Sequence, residues 1–387
     1  MQKNKIKRYL FHRVVYVILH YSVGRIIKRI MRYRCSKHKG PSAPSLLVAN
    51  HNLNIDPVFV AMGFSRHMYF LASEHAFRKG FSSSLLRFFF APIPINKSIS
   101  DIYAIKEIIR RLKSGASVCV FAEGDRSYNG MTGPMQLSIA KLAKTCKTDL
   151  ITFRIEGGYF TAPRWAKKQR RGKMAGNFVN RYTAEELQSM TATQISSHIE
   201  RDIYEDAYER QKARLVRYKG KDLAEHIELV LYLCPNCTRL GTIRSEGERF
   251  YCACGLSAAY TETGLLSGED LPYSTITEWD RWQSNELNEI VSRAGDRPIC
   301  MDEGQTLRIV SAATDSTPAG TGAMSISRDV FHCAGYDFGI NQITRLVIVG
   351  RMTLLFALKG GDTYEVHSDT PRSALKYKEI YRILTNK

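Results

Sequence analysis

Ser45-Leu46-Leu47-Val48-Ala49-Asn50-His51-Asn52-Leu53-Asn54-Ile55-Asp56 is the stretch whose reading decides the fold. Leu46 to Ala49 form an unbroken apolar run, and the turn-forming segment Lys39-Gly40-Pro41-Ser42-Ala43-Pro44 precedes it, so Ser45–Ala49 reads as a short buried strand. His51 then falls just past a strand end, where α/β folds place reactive groups. A second run, Ser117-Val118-Cys119-Val120-Phe121, leads into Ala122-Glu123-Gly124-Asp125-Arg126-Ser127, a loop whose arginine can fix an anion. His51 and Asp56 can be built as an oriented general base, although a His and an Asp at this spacing also recur by chance.

Four segments in order remove that ambiguity. Asn50 to Asp56 reads Asn-His-x-x-x-x-Asp, Ala91 to Lys97 is an apolar run ending in a base, Phe121 to Ser127 reads Phe-Ala-Glu-Gly-Asp-Arg-Ser, and Leu150 to Ile155 is an apolar strand. In these motifs the chain resembles the 1-acylglycerol-3-phosphate (lysophosphatidic acid) acyltransferase family of bacterial type, over roughly residues 40–215. Ala122 stands where the family usually has Pro, Asp125 where it has Thr, and Lys97 where it commonly has Arg. The resemblance implies an α/β glycerophospholipid acyltransferase fold, a mixed central sheet flanked by helices. It implies transfer of a fatty acyl group from a coenzyme A or acyl carrier protein thioester to the free hydroxyl of lysophosphatidic acid, giving phosphatidic acid. His51 would be the general base and Asp56 its orienter, with no covalent acyl-enzyme. Lys97 and Arg126 would hold the acceptor's phosphate, Glu123 suits a glycerol hydroxyl of the acceptor or a structural bond to the loop, and Gly124 and Ser127 complete the acceptor side. The chemistry suits the residue types: imidazole ordinarily titrates near 6.5 and accepts a hydroxyl proton at neutral pH, and a guanidinium bonds two phosphate oxygens at once.

The formal charge of +19 over 387 residues points to an anionic partner. Residues 1–40 carry twelve Lys or Arg and no acid, interleaved with Tyr9-Leu10-Phe11, Val14 to Leu19 and Ile26-Ile27. No run there approaches the roughly 20 apolar residues that span a bilayer. The segment reads as amphipathic helices lying on an anionic phospholipid surface, and without a signal-like cleavage site the expected place is peripheral, on the cytoplasmic face of the cell membrane. Gly80 to Phe90, rich in Phe, reads as a second membrane contact or a lining of the acyl tunnel, with an ordinary core helix end the alternative. Arg164 to Lys173, with six cations in ten residues, reads as a gatherer of headgroups or phosphate, or as a solvated loop.

Residues 41–222 form the expected acyltransferase domain, closed by an amphipathic helix from Ile195 to about Tyr218 after capping boxes at Thr183 and Thr191. Residues 223–264 form a zinc-ribbon module: Cys234-Pro235-Asn236-Cys237, then fourteen residues, then Cys252-Ala253-Cys254. Four thiolates suit a tetrahedral, structural zinc ion, with disulfides the alternative in an oxidising compartment. Residues 265–387 read as a β-rich domain ending in a helix from Arg372 to Leu384, similar to pleckstrin-homology-like domains. Acylation of another lysophospholipid or of glycerol 3-phosphate, non-catalytic lipid binding, and nucleic-acid binding are the competing readings. The last of these leaves His51, Asp56 and the Arg126 loop unexplained.

Overall fold

The computed structural model describes residues 2–36, 43–73, 81–95, 102–312 and 315–385, which divide into two compact units. The first comprises residues 1–95, 101–164 and 169–219; the second comprises 96–100, 165–168 and 220–387.

The first unit is built on a seven-stranded mixed sheet: β1 (Tyr33–Cys35), β2 (Ser45–Ala49), β3 (Met68–Ser73), β4 (Ile93–Ile95), β5 (Ser117–Phe121), β6 (Asp149–Glu156) and β7 (Met174–Tyr182). Their spatial order is β1-β7-β6-β2-β5-β3-β4. β2 lies between β5 and β6, parallel to both, and all five of its residues are buried, as a strand covered on both faces requires. One apolar cluster packs Leu46, Val48, Val118 and Val120 against the helices Ile102–Lys113, Leu137–Cys146 and Ala192–Ile203. A second cluster packs Leu47, Ala49, Cys119 and Phe153 against Phe59 and Val60 of the helix Asp56–Ala61. The parallel strands β2 and β5 end together, at the paired residues Ala49 and Phe121, while β6 runs three residues past Phe153, the partner of Ala49, to Glu156.

The basic N-terminal segment does not stop short of this sheet. The helix Gln2–Tyr21 buries His12, whose Nδ1 lies 3.0 Å from the Tyr69 hydroxyl of β3, and Tyr16 donates to Ala61 O and Phe64 O. After the helix Val23–Ile30 comes β1, which pairs in parallel with β7, so the sheet begins at residue 33 and not after residue 40. Gly176 of β7 is glycine by necessity, since a Cβ there would lie 1.7 Å from the Tyr33 hydroxyl. The expected single helix from Ile195 to Tyr218 is two, Ala192–Ile203 and Ala207–Ala213, with Asp206 capping the second through its carboxylate.

In the second unit, β8 (Ile243–Glu246), β9 (Arg249–Cys252), β10 (Ser257–Tyr260) and β11 (Leu266–Ser267) form a four-stranded antiparallel sheet. A second antiparallel sheet holds β12 (Cys300–Ala312), β13 (Asp315–Ile326), β14 (Val330–Cys333), β15 (Tyr336–Gly339), β16 (Ile343–Val349), β17 (Thr353–Leu358) and β18 (Thr363–Ser368), followed by the helix Ala374–Thr385. Between the sheets stands a helix that the strand-rich pattern does not announce, Ile276–Arg293. Its signal is the capping box Thr275/Glu278, and its Trp279 and Gln283 are buried against Leu233 O and Val230 O.

Candidate active site

The ends of β2 and β5 carry the polar residues. Asn50 is buried and its amide pairs twice with Ile155 of β6, donating to its carbonyl at 2.8 Å and accepting from its N–H at 2.7 Å. This tie fixes where the chain leaves β2, and the next residue is His51. Asp56, at the start of its helix, is wholly buried and turns its carboxylate back over the loop. One oxygen, Oδ2, accepts from Asn52 N at 2.6 Å, Leu53 N at 2.8 Å and His51 Nδ1 at 2.9 Å. An ionised carboxylate only accepts, so Nδ1 carries the proton and the Nε2 lone pair is left for a ligand. Among the described residues nothing bonds Nε2, and the side chain is 21% exposed. The ring stacks on Phe121 with centroids 4.4 Å apart, which restricts its rotation.

The loop after β5 folds around Glu123. Its Oε1 accepts from His51 N at 2.7 Å and its Oε2 from Gly133 N at 2.7 Å, so this carboxylate braces the two loops. Burial, together with the fields of Asp56 and Glu205, pushes its pKa up to about 8 against those two bonds. Gly124 is left-handed, φ +67°, as its turn requires. Ser127 is buried and its hydroxyl accepts from Gly130 N at 3.0 Å. Of the five acceptor-side residues expected, Glu123 thus spends its bonds on backbone N–H groups of both loops and Ser127 on that of its own loop. Lys97 lies outside the described residues.

Arg126 is half-buried, and among the described residues its guanidinium has no hydrogen bond or ion pair. Burial and the neighbouring Arg164 guanidinium hold its pKa below the ordinary arginine value against the opposing fields of Asp125, Tyr128 and Asp56, so an added anion there would relieve the repulsion between the two cations. Arg164, expected as part of a headgroup-gathering block, is 2% exposed. It pairs with Asp125 and lies over the Tyr128 ring at 4.1 Å. Arg170 is buried too, while Lys167 and Lys168 pair with Glu225 and Asp222. Both departures at this loop acquire reasons. Asp125 is the counterion of Arg164. Ala122, buried in the core, uses its N–H to bond Ala49 O at 3.3 Å, a donor that Pro lacks.

Residues 31–156 match the family model described as Acyltransferase. The acyltransferase-matched segment opens just before β1, closes at the last residue of β6 and contains His51, Asp56, Glu123, Gly124, Arg126 and Ser127. Arg164 and Glu205 lie beyond it. Among solved structures, the 1-acyl-sn-glycerophosphate (LPA) acyltransferase PlsC from Thermotoga maritima overlaps 55% of this chain and 99% of its own, at 16% identity and a TM-score of 0.40. None of the curated proteins matches the sequence.

The second unit holds a cluster of another kind. The four thiol sulfurs of Cys234, Cys237, Cys252 and Cys254 lie within 4.8 Å of one another, with Cys234 and Cys254 at 3.5 Å and Cys237 and Cys252 at 3.8 Å. A tetrahedron of sulfurs about 2.3 Å from a zinc ion has edges of about 3.8 Å, so the donor set fits such an ion. Both cysteine pairs sit in tight turns containing a left-handed residue, Thr238 (φ +53°) and Gly255 (φ +101°). Cys35, Cys119, Cys146, Cys300 and Cys333 are free thiols outside this cluster.

Proposed function

We propose that this protein transfers a fatty acyl group from a coenzyme A or acyl carrier protein thioester to the free hydroxyl of lysophosphatidic acid, giving phosphatidic acid. The observation that carries the reading is the His51–Asp56 pair: a buried carboxylate 2.9 Å from Nδ1 leaves Nε2 as an acceptor at the end of β2. The acceptor's hydroxyl proton passes to Nε2 as its oxygen attacks the thioester carbonyl, and the imidazolium returns that proton to the departing thiolate. Asp56 holds the tautomer and stabilises the imidazolium, and no protein nucleophile intervenes. Arg126, with Lys97, supplies the charge for the phosphate of the acceptor.

The surface of the first unit supports a lipid setting. On the helix Gln2–Tyr21, Tyr9, His12 and Tyr16 face the domain, whereas Leu10, Val14, Val17, Ile18 and Tyr21 are exposed, followed by Val23, Ile26 and Ile30. Phe88 and Phe90 are exposed as well, and Phe88 lies 5.2 Å from Phe11. Among the described residues no helix is long and apolar enough to cross a membrane. An exposed aliphatic row flanked by Arg13, Arg25, Lys28 and Arg29 fits peripheral seating on an anionic leaflet, for which we assign the cytoplasmic face. Zinc in the four-cysteine cluster would fix the turns of the ribbon and supply folding free energy on the order of 10 kcal/mol, a structural role.

The test is transfer of a labelled acyl group from coenzyme A and carrier-protein thioesters to a panel of lysophosphatidic acid, other lysophospholipids and glycerol 3-phosphate. Wild type should prefer lysophosphatidic acid, Arg126→Ala should lose that preference, and His51→Ala should lose transfer to every acceptor. Undiminished turnover by His51→Ala overturns the reading. Metal analysis of the purified protein should give one zinc per chain, with chelation melting the second unit.

A further inference from the structure

Glu205 lies beyond the acyltransferase-matched segment, between the helices Ala192–Ile203 and Ala207–Ala213, and no local pattern marks it. Yet it is buried, 5% exposed, with a donor on each carboxylate oxygen. Oε1 accepts from Gly157 N at 2.9 Å, just past β6, and from Arg210 Nε at 3.0 Å. Oε2 accepts from the Asn52 side-chain amide at 3.1 Å. Asn52 is the residue after His51, and its own N–H is one of the donors held by Asp56.

The backbone of Glu205 is held as well. Its N–H donates to Thr132 Oγ1 at 2.9 Å and its carbonyl accepts from Thr132 N at 2.9 Å. The next residue, Gly133, donates to Glu123, and Glu123 accepts from His51 N. The bonds therefore close a ring: His51, Glu123, Gly133, Thr132, Glu205, Asn52 and back along the chain to His51. Each of the two loops that carry the motif residues is gripped by a carboxylate, and the two carboxylates meet through Thr132 and Gly133.

We propose that Glu205 is a positioning residue for His51, acting through the Asn52 amide to set the loop that aims the imidazole. This rests on the acyl-transfer reading. Glu205 touches no reacting atom, so its loss should lower kcat and leave the KM for either substrate nearly unchanged; misplacing a reacting group by about 1 Å costs on the order of 100-fold.

All partners of the carboxylate are donors, and this dictates the experiment. Asn52→Asp sets a carboxylate against Oε2 and should reduce kcat by about 100-fold. Glu205→Gln combined with Asn52→Asp restores a bond with the direction reversed: the new amide keeps its oxygen for Gly157 and Arg210 and donates its N–H to the new carboxylate. The double variant should recover at least about a tenth of wild-type kcat, because only one bond direction has changed. Two kinetic results overturn the proposal: Asn52→Asp within threefold of wild type, or a double variant no faster than Asn52→Asp when both melt like wild type.

Histidine nitrogen resonances probe the same tie without turnover. Asn52→Ala should turn His51 from one Nδ1-protonated tautomer into an averaged pair, and an unchanged tautomer overturns the proposal. A wild type that transfers no acyl group defeats the acyl-transfer reading, and the tautomer measurement still decides whether the Asn52 amide positions His51.

Discussion

Two His-x-x-x-x-Asp pairs exist in this chain, and they have little in common beyond their spacing. In the first unit His51 Nδ1 meets Asp56 at 2.9 Å; in the second, His332 Nδ1 meets Asp337 at 2.6 Å. Asp56 is fully buried, whereas the side chain of Asp337 is 72% exposed. His332 and Asp337 are directly opposed across the β14–β15 hairpin, so their contact follows from strand register. His51 and Asp56 are brought together by a loop that also binds Asp56 through two backbone N–H groups and stacks the imidazole on Phe121. Spacing supplies a contact, and confinement makes that contact a device with one geometry.

The sharpest way to break this comparison is to truncate each imidazole. His51→Ala should reduce acyl transfer by about a thousandfold or more, within the range of a lost general base, while His332→Ala should leave it within about twofold. Comparable losses in the two variants would show that confinement is irrelevant. Asp56→Asn and Asp337→Asn form the next pair. The first places an amide where three donors converge on one oxygen, and kcat should fall by about 100-fold or more with a lower melting temperature; the second should change neither.

Ion pairs extend the contrast at smaller scale. Asp125→Ala leaves the Arg164 guanidinium buried without its carboxylate and should cost about 1–3 kcal/mol in denaturant unfolding. The exposed Arg293–Glu289 pair should lose less than about 0.5 kcal/mol on Glu289→Ala. An effect visible only in acid belongs to His67, which burial holds neutral with a pKa lowered to about 3. Its contribution is present above about 6.5 and is lost as pH falls from there toward 3, because the unfolded chain then binds a proton that the folded one refuses. His67→Phe should flatten the melting temperature across that window, and an unchanged slope would count against it.

The parts of the site that can be found in the sequence are those the chain writes locally. The apolar runs Ser45–Ala49 and Ser117–Phe121 announce strands, the motif residues follow them within a few positions, and the four cysteines come in two close pairs. What is not legible comes from distant polar partners. Arg164 looks like one cation among six, and only the fold turns it inward onto Asp125. Glu205 stands 153 positions from the Asn52 it holds, with no periodicity or spacing to connect them. β1 is hidden for a related reason: three residues between basic stretches carry too little pattern, and their strand character comes from pairing with β7.

That short strand has a mechanical consequence. Only residues 31 and 32 separate the helix Val23–Ile30 from β1, and β1 is bonded into the same sheet that carries His51. The helices ahead of it are further pinned by the buried His12 and by the Tyr16 hydroxyl. They cannot swing as a tethered arm does. A flat surface that took up their exposed aliphatic row would therefore meet the sheet at a single inclination, and the attitude of the domain on that surface would be set by β1 and the two helices ahead of it.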